Sequence, residues 1–389
     1  MPETTHVQTH ESREPRERPV SRQIVRTSSQ GLVVRSAALV ARGLRDLARD
    51  SNWLIKKVFT GHASKLAISP SGQVCAISPQ VRLGSQHVVL YDVELSVPTI
   101  ALTAPASAAA APQTSLENGA FAWSASARHL AAAWPGWQPS LHLFDLQGKM
   151  LLGTFGGFDK VPNSLAWSET DRFVAASTND AKSASLRIWE SSRAEMPFAT
   201  RASTEIAAPT GMEPQAYGEG FEEEGAFRGY GRIAFSPDER LVAAVVEIQG
   251  EWADDLIFVA APVSLQNHHL IQAQGHVTDI TWTPDSRQIV YCAAGQAYRL
   301  TAASPESQPL PFGAELCACH PHLPLCLCFS SWLKNSAKGR LCLVDLNRLT
   351  VFDEYPADGV VDLRWNLDGS KAFAMTQSGM AYIYEPPLV

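Results

Sequence analysis

The chain is predicted to be an all-β seven-bladed propeller with four-stranded antiparallel blades, and three observations carry that expectation. One phrase recurs seven times: a short apolar strand, a turn of the Ser-Pro-Asp-Gly kind, and a second strand of small apolar residues. The copies follow one another at roughly the 40–50 residues of a four-stranded blade. The composition is 45% hydrophobic and only 18% charged, less than the usual quarter, which suits a chain with much doubly buried strand.

The phrase reads Leu-Ala-Ile-Ser-Pro-Ser-Gly at 66–72, Phe-Ala-Trp-Ser-Ala-Ser-Ala at 121–127 and Leu-Ala-Trp-Ser-Glu-Thr-Asp at 165–171. It returns as Ile-Ala-Phe-Ser-Pro-Asp-Glu at 233–239, Ile-Thr-Trp-Thr-Pro-Asp-Ser at 280–286, Cys-Ala-Cys-His-Pro-His-Leu at 317–323 and Leu-Arg-Trp-Asn-Leu-Asp-Gly at 363–369. Its anchor positions are Ser69, Ser124, Ser168, Ser236, Thr283, His320 and Asn366, spaced 55, 44, 68, 47, 37 and 46 residues apart. The gap of 68 marks an insertion placed at about 191–229. Seven blades are favoured over six or eight. One blade cannot cover both faces of its own sheet; radial stacking does so and leaves only short edges.

A downstream strand follows most copies and ends in an aromatic or apolar residue and an acid: Val-Leu-Tyr-Asp at 89–92, Leu-Phe-Asp at 143–145, Arg-Ile-Trp-Glu at 187–190, Leu-Val-Asp at 343–345 and Tyr-Ile-Tyr-Glu at 382–385. Gly-His dipeptides stand at Gly61-His62 and Gly275-His276. Together these phrases resemble the WD-repeat family over roughly residues 53–389. The resemblance implies ring closure by an N-terminal strand. The last strand ends at about Tyr384, one short of a four-stranded blade, and Leu54–Phe59 has the pattern of the missing outermost strand.

The chain departs from the family pattern in its polar network. Typical blades link the Gly-His histidine, through a Ser or Thr and a turn Asp, to a strand Trp. Here Trp189 is the only Trp at that strand position, and its blade begins Gly156-Gly157-Phe158, without the histidine. His62 and His276 have no evident Trp partner in their own blades. The fourth and fifth copies, with Ser-Pro-Asp and Thr-Pro-Asp turns, also look like the shorter propeller repeats of bacterial periplasmic and peptidase-linked proteins.

Three stretches lie outside the repeat. Residues 1–32 are polar and read as a disordered tail. Residues 33–50 read as an amphipathic helix: Val33, Ala37, Val40, Leu44 and Leu47 form one stripe, and Arg35, Arg42, Arg45 and Arg49 occupy other faces. The helix has three readings: docking back on the propeller at 51–389, binding a partner or a second copy, and lying on a membrane surface, the last disfavoured by a stripe of Ala and Val. The insertion carries Glu219, Glu222, Glu223 and Glu224 and reads either as a solvated loop or as a flap for a basic partner. A further Ala-, Pro- and Ser-rich stretch at 101–115 reads as a connector.

Charge narrows the partners. The formal net charge is −7, but residues 1–50 hold nine Arg against six acids, so the rest of the chain is acidic. An acidic body argues against nucleic acid as the principal ligand. The first 30 residues hold no apolar signal-peptide core, no run reaches transmembrane length, and the seven cysteines are an odd number, all of which favours the cytoplasm.

Candidate chemistry is sparse. Cys317, Cys319, His320, His322, Cys326 and Cys328 could suggest zinc, but the register puts Cys319 where Trp123, Trp167, Phe235, Trp282 and Trp365 stand in other copies. Buried, strand-borne cysteines are therefore expected, and no metal or cofactor. The recurrent Trp likewise reads as blade packing. Trp134 and Trp137 fall outside that register, between the second and third strands of the second blade, and Trp252 with Glu251, Asp254 and Asp255 occupies the equivalent place in the fourth. Aromatics there read either as a packed loop tip or as contacts for a protein partner. The sequence holds no Gly-x-Ser-x-Gly, no phosphate loop and no His-Glu-x-x-His. The expected function is a non-catalytic protein-interaction scaffold or complex subunit that binds protein partners of unknown identity. Its expected contacts are Trp134, Trp137, Trp252, Glu222, Glu223, Glu224, Arg42, Arg45 and Arg49. The alternative is a lactonase- or esterase-like propeller hydrolase with a metal or small-molecule site in the central channel.

Overall fold

Each copy of the phrase forms the two inner strands of one blade. The computed structural model describes residues 53–79, 87–103, 120–134, 139–147, 149–179, 184–190, 204–207, 226–250, 253–301, 306–331 and 339–386. The strand β1 (Trp53–Lys57) comes first in sequence but belongs to the last blade. Blade 1 is β2 (Ala63–Ile68), β3 (Val74–Pro79), β4 (His87–Asp92) and β5 (Val97–Thr103); blade 2 is β6 (Phe121–Trp123), β7 (His129–Trp134), β8 (Ser140–Asp145) and β9 (Met150–Phe155). Blade 3 is β10 (Ser164–Trp167), β11 (Phe173–Thr178), β12 (Ser185–Glu190) and β13 (Thr204–Ile206); blade 4 is β14 (Phe227–Phe235), β15 (Val242–Ile248), β16 (Leu256–Ala261) and β17 (Ser264–Gln272). Blade 5 is β18 (Val277–Trp282), β19 (Gln288–Ala293), β20 (Gln296–Thr301) and β21 (Ser307–Pro309); blade 6 is β22 (Leu316–Cys319), β23 (Leu325–Ser330), β24 (Arg340–Asp345) and β25 (Thr350–Pro356). Blade 7 is β26 (Val360–Trp365), β27 (Ala372–Thr376) and β28 (Met380–Tyr384), completed by β1.

The ring is thus a seven-bladed propeller of four-stranded antiparallel sheets. β1 pairs with β28 in the register Trp53↔Tyr384 to Lys57↔Met380. The closing strand is shorter than the predicted 54–59. Val58 and Phe59 leave the ladder and are 1% and 3% exposed in the apolar layer between blades 7 and 1. Beyond its own blade, Trp53 Nε1 donates to Asp353 Oδ2 of blade 6 at 3.2 Å.

The stretch assigned to an insertion at 191–229 holds β13, the fourth strand of blade 3, which pairs with Leu186–Ile188 of β12, and the opening of the nine-residue β14. The extra length therefore flanks a blade strand. The tail at 1–32 and the helix at 33–50 with Arg42, Arg45 and Arg49 lie outside the described residues, as does 104–119.

Burial runs in a gradient across each blade. Second strands such as β11 and β23 are buried at every position, because both of their faces meet neighbouring blades. Outer strands such as β5 and β25 are mostly exposed. Runs such as Ala131-Ala132-Ala133 in β7 and Ala243-Ala244 in β15 let adjacent sheets approach closely. The described residues form no central core. Instead, seven apolar layers lie one at each blade junction among the described residues.

The anchor residue of each phrase holds the turn after the first strand. Ser69, Ser124, Ser168, Ser236 and Thr283 accept on their side-chain oxygens the backbone N–H five residues on, at 2.9–3.1 Å. Asn366 does the same through Oδ1 to Lys371 N at 2.8 Å. At His320, in a turn carrying Pro321 and Pro324, Nδ1 instead accepts from His322 N at 2.9 Å and Leu323 N at 3.0 Å. Three residues past the anchor, the backbone is left-handed at Gly72, Ala127, Asp171, Glu239, Ser286 and Gly369. Three of these non-glycine residues reach the preceding blade's turn with their side chains. Asp171 Oδ1 accepts from Ala125 N at 2.5 Å, Glu239 Oε1 from Thr170 N at 2.6 Å, and Ser286 Oγ from Asp238 N at 3.0 Å. A contact to the neighbouring turn offsets the steric cost of that conformation.

Candidate functional site

The seven first strands, β2, β6, β10, β14, β18, β22 and β26, run in one direction around the axis and enclose a channel of about 1520 Å³ lined by all seven blades. Their common direction makes its two mouths different. Where they end, the wall carries Pro70, Pro237, Pro284, Pro321 and Leu367, with Glu169 among them. Where they begin, it carries Lys160, Asn179, Arg228, Glu247, Glu315 and Gln377. One mouth is rimmed by proline, and the other is polar and charged.

The channel wall is built from inter-blade clasps. The first-strand Trp of one blade donates its indole N–H to a backbone carbonyl of the blade before it. Trp123 Nε1 bonds Ala67 O at 3.0 Å, Trp167 bonds Ala122 O at 3.0 Å, Trp282 bonds Ala234 O at 3.1 Å and Trp365 bonds Ala318 O at 3.0 Å. The packing role read for these tryptophans is therefore accompanied by a specific hydrogen bond.

Three junctions have no Trp to donate, because blades 1, 4 and 6 carry Ile68, Phe235 and Cys319 there. Two of them use a carboxylate of the preceding blade. Asp362 Oδ2 accepts from Ile68 N at 3.1 Å, while Arg364 Nη1 donates to Ile68 O at 3.2 Å. Asp279 Oδ2 accepts from Cys317 N at 3.0 Å. At the third, Asn163 Nδ2 donates to Tyr230 O at 3.1 Å and Ser177 Oγ to Gly231 O at 2.7 Å.

Both carboxylates stand at β-bulges. The first strands of blades 1, 4, 5 and 7 shift register just before Lys65, across Tyr230–Ile233, and just before Asp279 and Asp362. A bulge re-aims the side chain that follows it, and here Lys65, Arg232, Asp279 and Asp362 gather on the channel wall. Arg232 Nε lies 4.0 Å from Asp279 Oδ1. Desolvation in the wall pushes the Asp362 carboxyl up to about 6, against the opposing pull of Arg364 and the Ile68 N–H. Burial likewise raises Asp279, and burial together with the nearby Arg232 lowers Lys65.

At the polar mouth a second network joins blades 4 and 5. Asp255, 2% exposed, accepts from Ile248 N at 3.0 Å and Val277 N at 2.8 Å, and its Oδ1 lies 3.2 Å from His276 Nδ1. His276 Nε2 lies 2.8 Å from Gly250 O, so the ring bridges a carbonyl and a carboxylate. Burial works against the charged imidazole, but these two partners outweigh it and raise its pKa. The Gly-His histidine read as lacking a Trp partner is thus held by the blade before its own.

Of the residues predicted to meet a partner, Trp134 is the last residue of β7, paired with Ser140. Trp137, Trp252, Glu222, Glu223, Glu224, Arg42, Arg45 and Arg49 lie outside the described residues. The described strands still fix the face from which the intervening segments spring. β7 ends and β8 begins at the polar mouth, as do β15 and β16, and β13 ends and β14 begins there too. The described strand ends on either side of 135–138, 251–252 and 208–225 therefore all lie at that mouth. β1 starts at Trp53 on the opposite face, where 1–52 attaches.

Sequence reading missed Asp279, Asp362 and Arg232, because a single charged residue inside an apolar strand carries no local motif. The usable signal was positional, since all three stand four residues before an anchor. The cysteines fall where the register placed them. Cys317, Cys326 and Cys328 are buried, Cys319 and Cys342 are partly buried, and all are free.

No protein-family model and no curated protein sequence matches the chain. Solved structures do. The "Kuenenia stuttgartiensis Hydrazine Synthase" chain superposes with a TM-score of 0.60 at 13% identity, covering 85% of this chain and 97% of that one. The "RRP9 WD40 repeats" structure superposes at 0.56 and 12% identity, covering 85% and 97%, and "U3-55K" at 0.56 and 13%, covering 85% and 98%. The fold is that of the WD40-repeat propellers that the repeat phrases resemble.

Proposed function

We propose that this protein is a non-catalytic interaction scaffold of the cytoplasm, a subunit or assembly factor that receives a protein partner at the polar mouth of its propeller. One observation carries the reading: the described strand ends that flank 135–138, 251–252 and 208–225 all lie at the same mouth, and these stretches hold Trp137, Trp252, Glu222, Glu223 and Glu224 in the sequence. Two aromatic-bearing segments and one acidic segment on a single rim suit a partner with apolar anchors inside a basic surround. The basic N-terminal segment attaches at Trp53 on the other face, so a second contact there would raise avidity through effective concentration.

The channel supports the same reading. Two of the acids in its wall, Asp279 and Asp362, accept backbone N–H groups and hold blades together, an occupation that favours a binding platform over metal-dependent hydrolysis. One of the structurally similar chains is named for its WD40 repeats, which agrees with a binding platform.

The test is affinity purification of the full chain from its native host, compared with a Trp134→Ala/Trp137→Ala variant and a Glu222→Lys/Glu223→Lys/Glu224→Lys variant. The same co-purifying protein should be lost from both. A partner retained by both variants and lost only when residues 1–50 are removed would move the binding surface to the opposite face.

A further inference from the structure

Six of the seven cysteines meet in one layer, where blade 5 packs on blade 6. Cys292 comes from β19, Cys317 and Cys319 from β22, Cys326 and Cys328 from β23, and Cys342 from β24. Register sets Cys319 opposite Cys326, Cys317 opposite Cys328 and Cys328 opposite Cys342. Five thiols thus share one face of blade 6, and Cys292 meets them from blade 5. The seventh, Cys75, lies in the layer between blades 7 and 1.

The sulfurs are in contact. Cys328 Sγ donates to Cys326 Sγ at 3.6 Å, and Cys319 donates to the same sulfur. Cys326 is wholly buried, whereas Cys319, directly across the ladder, is partly exposed and lines the channel. The next pair along, His320 and Leu325, is joined by an N–H···O bond of 2.8 Å, so Cys319 and Cys326 form a non-hydrogen-bonded pair. In such pairs the Cα atoms approach to about 4.5 Å, within the range of roughly 4.4–6.8 Å that a disulfide spans.

We propose that the Cys319–Cys326 pair is a peroxide-reactive site that closes into a cross-strand disulfide, with the central channel as the path of entry. The two converging S–H donors lower the pKa of Cys326, while its own bond to Cys326 and burial raise that of Cys319. The negative charge belongs to the pair and moves along the S–H···S line. The charge therefore rests on Cys326, and Cys319, on the channel wall, becomes the nucleophile by handing its proton to Cys326 as it reacts. Cys319 Sγ attacks one oxygen of hydrogen peroxide, the O–O bond breaks, and hydroxide leaves, giving a sulfenic acid on Cys319 and a thiol on Cys326. Cys326 Sγ then attacks Cys319 Sγ, the S–O bond breaks, and the departing hydroxide takes the Cys326 proton and leaves as water. Two thiols are oxidised and one peroxide is reduced.

The experiment exposes the full, pre-reduced chain to hydrogen peroxide, blocks the remaining thiols and maps peptides without reduction. The expected result is a Cys319–Cys326 linked peptide, reversed by dithiothreitol, that forms roughly tenfold or more faster than Cys75 is modified. Cys319→Ala should abolish it, and Cys75→Ser should leave it intact, each variant first shown to melt cooperatively. Peroxide that leaves both thiols free, that links other cysteines instead, or that drives Cys319 to the sulfonic acid without a disulfide would overturn the proposal. The wild-type map alone decides this if Cys319→Ala fails to fold.

Discussion

Trp365 donates its indole N–H to the Ala318 carbonyl of the preceding blade at 3.0 Å, and the ring around it is 6% exposed. Trp189, at 2% exposure, shows the opposite arrangement. Its Nε1 is buried without an acceptor among the described residues, and Phe158, ring centroid 6.0 Å away, packs near the indole in a blade whose opening lacks the family's histidine. The missing polar network read in the sequence is an orphaned N–H in the structure.

Trp365→Phe and Trp189→Phe should therefore differ. The first removes a hydrogen bond and strands a buried carbonyl, costing about 1–3 kcal/mol. The second removes a donor that has no acceptor, so the lost ring area is partly offset and the change stays within about 1 kcal/mol. Urea unfolding of the two variants measures both, and equal losses would mean that the clasp contributes nothing beyond packing.

Deleting residues 51–60 removes β1 and opens blade 7. Its third strand, β28, would then present an unpaired edge, and Val58 and Phe59 would leave the layer between blades 7 and 1. The expected outcome is loss of the single cooperative melting transition. An unchanged melting curve would show that the ring closes without this strand.

Ala127 occupies a left-handed position (φ 57°) but, unlike Asp171, Glu239 and Ser286, has no polar side chain with which to reach a neighbouring turn. Ala127→Gly should stabilise the fold by about 0.5–1 kcal/mol. Gly369→Ala should do the reverse, since a Cβ there would lie 2.2 Å from His320 Cε1 at a φ of 71°. Thermal melts of the two variants should shift in opposite directions.

The buried histidines set an acid limit. Burial lowers His320 from 6.5 to about 4. Its Nε2 lies 3.1 Å from the Gly369 carbonyl and must carry the proton, while Nδ1 accepts two N–H bonds, so the imidazolium would lose both. His142 is likewise lowered to about 4 by burial. For each, the unfolded chain binds the proton first. The stabilisation is whole above 6.5 and falls with pH down to about 4, with a limiting slope of about 1.4 kcal/mol per pH unit per histidine. His320→Asn, which installs the anchor residue of blade 7, should flatten that limb. His276 has the opposite sign: its raised pKa adds stability below 6.5 that is lost as pH rises through the folded value. His276→Gln should therefore remove a contribution seen only on the acid side, measured by denaturation at stepped pH.

The repeat itself was legible because it is local. An anchor Ser, Thr or Asn five residues before the N–H it accepts is a bond within one turn, so the residue type repeats wherever the turn does. The cysteine register was legible for the same reason: a strand's period of two assigns faces once a single position is known. Asp279 and Asp362 were not, since their function is to hold the next blade, and the sequence gives no distance between blades. The carrier of the His276 bond was missed likewise, because Asp255 lies 21 residues away in the preceding blade.

What the sequence determined by itself was the number of blades, their strand pattern, and closure by a segment near Trp53, all of which follow from hydrophobic periodicity and turn chemistry repeated along the chain. Only the tertiary structure decided how each junction is clasped. It also decided that one channel mouth is rimmed by proline and the other by charge, and that Cys319 is partly exposed on the channel wall while its partner Cys326 is wholly buried. Those outcomes depend on side chains from different blades meeting across the layers between sheets, and such meetings are set by the closed ring rather than by any stretch of neighbouring residues.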